Sequence, residues 1–205
     1  YNLNTVSENI SKEMGSLTFK ELSFSHEKFL KDLEMDKYLV PKLYKIARQL
    51  YNFKGELSDQ YHIARKVYPG NLKEQFRAHF DSHLFTIVFP IKIPLSSSGD
   101  TNGDLIYFSN IRNMPGNELV NMAGKIYFKK FASKDGIQKL MKNHKYNKDN
   151  FINYQPLLFL GKTTLHANYP VSNDCSSYRL TLLAHFFDTS TKLSPSNFLR
   201  LLRNR

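Results

Sequence analysis

Hydrophobic spacing divides the chain before any residue is asked about chemistry. Residues 1–20 carry thinly spread apolar positions and read as a strand or an irregular lead-in. From Ser25, which is placed to cap a helix, Phe29, Leu30 and Leu33 fall at core-facing helical spacing. Leu39, Leu43, Ile46, Ala47 and Leu50 repeat that spacing around Pro41, so two consecutive helices are predicted, ending near Tyr51 before the loop "NFKGELSD". From Tyr61 the texture changes to short β-like runs at 61–68, 79–93, 103–109, 155–161, 163–169 and 177–188, with "PLSSSGDTNGD" (94–104) as a turn-rich connector. Between Pro115 and His144 the spacing is helical again and rich in lysine, and the tail "SPSNFLRLLRNR" (194–205) reads as a capped amphipathic helix.

These elements predict a mainly β protein with flanking helices, built as a barrel or a two-sheet jelly roll rather than a parallel α/β sheet. No phosphate-loop or dinucleotide glycine pattern follows any strand, which weakens the α/β alternatives further. A chain of 205 residues with 41% hydrophobic content and no evident linker or repeat suits one domain with a sizeable core. The expected division is a helical layer at 1–60, a β core from 61–110 and 155–188, a helical insertion at 111–150 and a C-terminal helix at 194–205.

Charge adds a question about partners. The net charge of +11 is explained either by a solvated basic surface or by an anionic partner: nucleic acid, a phosphorylated or carboxylated small molecule, or an anionic lipid surface. The one cysteine, Cys175, excludes an internal disulfide framework and is compatible with a reducing compartment, so a cytoplasmic location is expected. No apolar run approaches the roughly 20 residues of a membrane span; the longest, Leu84 to Leu95, is interrupted by Pro90, Lys92 and Pro94.

Candidate chemistry gathers at "QFRAHFDSHLFTIVFPI" (75–91). Residues two apart on a strand share a face, so His79 and Asp81 would look into one space just before an apolar run. A lone His-x-Asp pair is explained as well by a structural ion pair. A second imidazole, His166, closes another β-like run, and beyond the turn "VSNDCSS" the returning strand puts Arg179 and Thr181 on one face. Two imidazoles and one carboxylate on one side of a metal leave the opposite positions open, the donor set of non-haem Fe(II) oxygenases. A cosubstrate that chelates through a keto acid needs a cation for its distal carboxylate, and arginine grips carboxylates bidentately. His83 is expected to be a pocket-wall or hydrogen-bonding residue and His185 a core or rim histidine; Arg112 and Asn168 are weaker candidates to face a substrate.

His79-x-Asp81, His166 85 residues later and Arg179 13 beyond that resemble the Fe(II)/2-oxoglutarate-dependent oxygenase superfamily. "ARKVYPGNLKEQFRAHFDSHLFTIVFPI" is similar to the prolyl 4-hydroxylase-like branch, "NGDLIYF" to its glycine-bearing strand, and "LHANYPVSNDCSSYRLTLLAHFFD" to its closing hairpin. The resemblance implies a double-stranded β-helix (jelly roll, cupin-like) core. It implies that His79, Asp81 and His166 bind Fe(II) and that Arg179 binds the distal carboxylate of 2-oxoglutarate, with Tyr68, Thr86 and Thr181 as helpers. It also implies the activity: consumption of O2 and 2-oxoglutarate, release of succinate and CO2, and hydroxylation of an organic substrate, which the basic balance suggests is anionic. Prolyl 4-hydroxylases usually carry lysine where Arg179 stands, and arginine is more like the phytanoyl-CoA hydroxylase branch, so neither branch lends its substrate. Asp81 at the carboxylate position argues against the halogenase variant, which has a small residue there. The competing reading is a basic jelly-roll binding module for nucleic acid or a carbohydrate-like ligand, without catalysis. The lysines of 115–150 are expected to border the mouth of the pocket.

Overall fold

The structure, a computed structural model, describes residues 2–21, 24–71, 74–99 and 102–189. The expected helix at 194–205 lies outside the described residues. Among the described residues, eight strands form two sheets: β1 (Phe19–Glu21), β2 (Gln60–Val67), β3 (His83–Lys92), β4 (Leu105–Phe108), β5 (Asn147–Asp149), β6 (Leu157–Leu160), β7 (Leu165–Asn168) and β8 (Arg179–Asp188). The larger sheet runs β1-β2-β8-β3-β6 and the smaller β5-β4-β7, and each named pair is antiparallel. The protein is a mainly β jelly roll with flanking helices, and its sheets do not close into a barrel.

β3 is a near-continuous apolar run because both its faces are covered. Nine of its ten residues are buried. On the outer side Phe85, Ile87, Phe89 and Ile91 join Leu180, Leu182, Ala184 and Phe186 of β8 in one core with the N-terminal helices. On the inner side Val88 packs with Leu105, Phe151 and Phe159, the smaller sheet and its neighbours. The covering helices are α1 (Leu3–Met14), α2 (Phe24–Asp32), α3 (Met35–Tyr38) and α4 (Val40–Tyr51).

The lead-in differs from expectation: it is helix α1 followed by the short strand β1. Asn2 caps α1 by accepting from the amides of Asn4 and Thr5, and Ser7, Ile10 and Met14 face the core. The pattern hid because a serine fills one core position and asparagines dilute the rest. The insertion contains α5 (Glu118–Lys129), capped by Asn117, and α6 (Lys134–Asn143), capped by Ser133. Ile137 and Leu140 of α6 pack on Ile106, Phe108, Leu165 and Ala167, so this layer covers the outer face of the smaller sheet. No helix among the described residues is long and apolar enough to cross a membrane.

Candidate metal centre

The strand expected to begin at residue 79 begins at His83, and His79 instead forms an isolated bridge to His166. The two residues exchange amide-to-carbonyl hydrogen bonds of 3.1 Å each way, and their rings lie 4.3 Å apart. This bridge extends the smaller sheet by one residue and sets both imidazoles on the same side. The chain then turns, with the Asp81 amide donating to the Gly161 carbonyl at 3.0 Å and the Gly161 amide to the Leu84 carbonyl at 2.9 Å. A Cβ at Gly161 would sit 2.8 Å from the Asp81 Cβ and 2.7 Å from the His83 carbonyl oxygen, so the turn needs glycine there.

The result is a convergent donor set. One ligand atom each from His79, Asp81 and His166 lies within 4.8 Å of the others. Asp81 Oδ1 is 3.8 Å from the Nε2 atoms of both histidines. Bonds of about 2.1 Å at right angles would bring such donors to about 3 Å, so a small divalent ion requires each histidine–Asp81 pair to close by somewhat under ~1 Å. The second nitrogen of each ring is already committed: His79 Nδ1 pairs with the Arg77 carbonyl at 2.7 Å and His166 Nδ1 with the Thr164 carbonyl at 3.3 Å. Those acceptors select the Nδ1–H tautomer and leave both Nε2 lone pairs facing Asp81.

Asp81 is ordered by a further shell. Thr86 donates its hydroxyl to Oδ2 at 2.6 Å, and His185 Nδ1 sits 3.0 Å from the same hydroxyl. His185 in turn stacks on His83 at 5.1 Å, and both rings stack against Tyr61. With Oδ2 occupied by Thr86, Oδ1 is the oxygen presented to both histidines.

The electrostatics favour a cation other than a proton. Desolvation on its inner side, followed by the nearby His166, pushes the His79 imidazole below its ordinary range, and burial does the same to His185. Solvent reaches 47% of the His79 side chain, which limits the effect there. Burial opposes ionisation of Asp81, but His166, His185, His79 and the Thr86 hydroxyl together outweigh it and hold the carboxyl below its usual range. A carboxylate held low beside His79 and His185, whose imidazoles resist protonation, fits a divalent ion.

β8 carries the rest of the inner face. In register with β3, His185 lies opposite Thr86, Leu183 opposite Val88 and Thr181 opposite Pro90; Arg179 ends the row. Arg179 is 3% exposed, and among the described residues it makes no hydrogen bond or ion pair. Burial, then Arg65, lowers its guanidinium to about 9, opposed by Asp104 and Asp149. Asp104 is already paired with Lys148 at 2.7 Å. Gly103, at φ +83, lets the backbone approach Arg179: a Cβ would meet Arg179 Cδ at 2.9 Å. Phe151 lies under the guanidinium at 5.7 Å and Phe159 beside the His166 ring at 4.9 Å, so an apolar interior separates the arginine from the donor set.

The structure thus brings His79, Asp81 and His166 together and places Thr181 and Arg179 on the same inner row. It does not leave Thr86 free for a cosubstrate, since its hydroxyl is on Asp81. Tyr68 is 40% exposed with its ring against Tyr178, whose ring also meets Lys66 and Lys92, away from that row. Arg112 is occupied, donating to the Lys162 carbonyl at 2.7 Å and to Asn121 Oδ1 at 2.9 Å over the Phe80 ring. One inward residue escaped the sequence reading: Arg65, opposite Thr181, which is ion-paired with Glu74. The alternation of Tyr61, Ile63, Arg65 and Val67 carried the signal.

Two imidazoles and one carboxylate, held where a bridge of the smaller sheet meets the entry to the larger, define a candidate mononuclear metal centre in a jelly roll. No family model matches the chain, and no curated protein matches it. Solved structures do. The chain is similar to the prolyl-4-hydroxylase of Pseudomonas putida at 13% identity and a TM-score of 0.51, over 92% of this chain and 84% of that one. It is similar to the non-haem α-ketoglutarate-dependent carbocyclase SnoK of nogalamycin biosynthesis at 12% identity and a TM-score of 0.53, over 96% and 80%. It is also similar to the Trichoplax adhaerens prolyl hydroxylase solved with a hypoxia-inducible-factor peptide, at 15% identity and a TM-score of 0.50, over 91% and 78%. At these identities the likeness is one of fold, and the fold is the jelly roll of the 2-oxoglutarate oxygenases to which the motifs pointed.

Proposed function

We propose that this chain is a non-haem Fe(II)- and 2-oxoglutarate-dependent dioxygenase that hydroxylates an organic substrate from one catalytic domain. The observation that carries the reading is the pairing, on one inner surface, of a three-donor set with a buried arginine that makes no ion pair among the described residues. Among the described residues Arg65 and Arg179 share this inner surface; Arg65 is neutralised by Glu74, whereas Arg179 has no such ion pair. A desolvated cation without a partner is costly unless a ligand supplies the charge.

In this reading His79, Asp81 and His166 hold the metal by three donors from one side. Bound Fe(II) supplies the redox chemistry by which O2 is reduced as 2-oxoglutarate loses CO2 and becomes succinate. Arg179 receives the distal carboxylate of 2-oxoglutarate, and Thr181, two residues along the same face, lies close enough in register to assist. The apolar surface of Val88, Phe151, Phe159 and Leu183 between them excludes water and raises the value of the charge pair. Thr86 and His185 keep Asp81 aimed, and the carbonyls of residues 77 and 164 keep the imidazoles aimed.

The test is succinate formation from 2-oxoglutarate by the iron-loaded protein under air. Wild type should release succinate slowly without a substrate, and Asp81→Ala should release none. Equal release by both proteins would refute the assignment.

A further inference from the structure

A second place in the molecule holds a buried cation with no direct partner among the described residues. The turn between β6 and β7, "GKTT", carries Lys162, which is only 4% exposed. Among the described residues its ammonium makes no hydrogen bond or ion pair, and it is not sealed from solvent. Beside it lies Lys125 of α5, half-buried, whose ammonium donates to the neutral Ser82 hydroxyl at 3.1 Å. Ser82 follows the candidate ligand Asp81, and Gly161, which packs on Asp81, precedes Lys162. Arg112 locks the three pieces together by donating to the Lys162 carbonyl and to Asn121 of α5 while covering Phe80, the residue between His79 and Asp81.

The two lysines are therefore held by the hairpin turn ahead of His166, the turn bearing Asp81, and the base of the helical insertion. The carboxylates that act on Lys125 are Asp81, Glu118 and Asp188, and the last two also act on Lys162; among the described residues none of them pairs directly with either ammonium. Three cations, Arg112, Lys125 and Lys162, face these carboxylates, and the Lys162 ammonium, buried with its residue at 4% exposure, has no direct partner among the described residues. Burial pushes both lysines below their ordinary range, as expected for ammonium groups held away from water without full compensation. The lysine pair has different neighbours from Arg179: Arg179 packs on Gly103 and over Phe151, whereas the Lys162 backbone is held by Arg112 and Lys125 donates to Ser82.

We propose that Lys162 and Lys125 form an oxyanion subsite beside the metal centre, which receives a carboxylate or phosphate group of the substrate. Two ammonium groups act as point donors to an anion whose oxygens can satisfy both at once, and Arg112 is the brace that keeps them converged. The ligand is called a substrate on the strength of the oxygenase reading; the subsite itself requires no turnover to be detected.

The experiment uses the full chain, freed of metal by chelation, with inorganic phosphate and acetate as separate probes at constant ionic strength set with sodium chloride. Melting temperature is followed for wild type, Lys162→Met, Lys162→Arg, Arg179→Met and the remote control Lys139→Met/Lys142→Met. At a probe concentration tenfold above its binding midpoint, wild type should gain about 3 to 5 °C over chloride alone. Lys162→Met should lose that gain, while Lys162→Arg, Arg179→Met and the remote control keep it. A gain with phosphate alone identifies a phosphate-type subsite, and one with acetate alone a carboxylate subsite. No gain in wild type, a gain that persists in Lys162→Met, or a gain that vanishes in Arg179→Met would each overturn the proposal. Mn(II) titration of the same proteins separates the two readings. Intact Mn(II) binding without an anion effect removes the subsite alone, and an anion effect without Mn(II) binding removes the oxygenase reading alone.

Discussion

Replacing Thr86 by valine removes one hydroxyl and almost no volume. That hydroxyl donates to Asp81 Oδ2 at 2.6 Å in a site where Asp81 is nearly buried and Thr86 is 1% exposed. A hydrogen bond to a charged acceptor is worth about 1.5 to 3 kcal/mol. Its loss frees the carboxylate to rotate, so that neither oxygen is fixed between the two Nε2 atoms. Through the metal this becomes a loss of affinity of about 10- to 100-fold, the usual effect of removing a partner that orients a ligand. Anaerobic titration with Mn(II), read by electron paramagnetic resonance, measures it directly. Thr86→Ser should restore most of the affinity because it returns the donor. If Thr86→Val binds Mn(II) like wild type and instead raises the apparent KM for 2-oxoglutarate, the hydroxyl serves the cosubstrate, and the reasoning from the Asp81 hydrogen bond is wrong.

Asp81→Ala should abolish divalent metal binding while leaving the far-ultraviolet circular dichroism unchanged; measurable affinity in the variant would place the metal elsewhere. Arg179→Met should raise the apparent KM for 2-oxoglutarate at least tenfold, since losing one partner of a desolvated charge pair costs about 2 to 5 kcal/mol, yet raise the melting temperature of the ligand-free protein by removing an unpaired buried cation; a change confined to the KM of the substrate would move Arg179 into the substrate pocket. His79 and His185 both titrate below the ordinary imidazole value of 6.5, so below that pH the unfolded chain binds more protons than the native one and stability falls. Asp81, held low, contributes stability above about pH 4 and loses it only as pH falls further. The metal-free protein should accordingly melt several degrees lower at pH 5.5 than at pH 7.5, and a flat or opposite trend in calorimetry contradicts these shifts.

The donor set was legible because its signal is local: a two-residue alternation at His79 and Asp81, and an imidazole closing a β-like run at His166. The strand assignment around it was less exact, since residues 79–82 bridge and turn before β3 begins, a distinction that depends on pairing with a strand more than 80 residues away. β5, with the sequence Asn-Lys-Asp, has no apolar alternation and exists through its pairing with β4. Thr86 was placed near the cosubstrate because a threonine on that face suits either role; only the 2.6 Å contact with Asp81 distinguishes them. Lys162 gave no signal, as a lysine in a hairpin turn reads as solvated until the insertion is folded over it.

The strand order carries a consequence for how the protein is made. β8 lies between β2 and β3 in the larger sheet, yet it is synthesised on the order of a hundred residues after β2. Until residue 188 has left the ribosome, β2 and β3 face each other across a missing strand, and β3 shows its largely apolar length as an open edge. The nascent chain therefore cannot complete its core in stages from the N-terminus, and a ribosome stalled before Arg179 would release a species prone to aggregate or to be captured by a chaperone. Assembly of the candidate metal centre is deferred by the same topology, because His166, whose bridge fixes His79, is itself translated late.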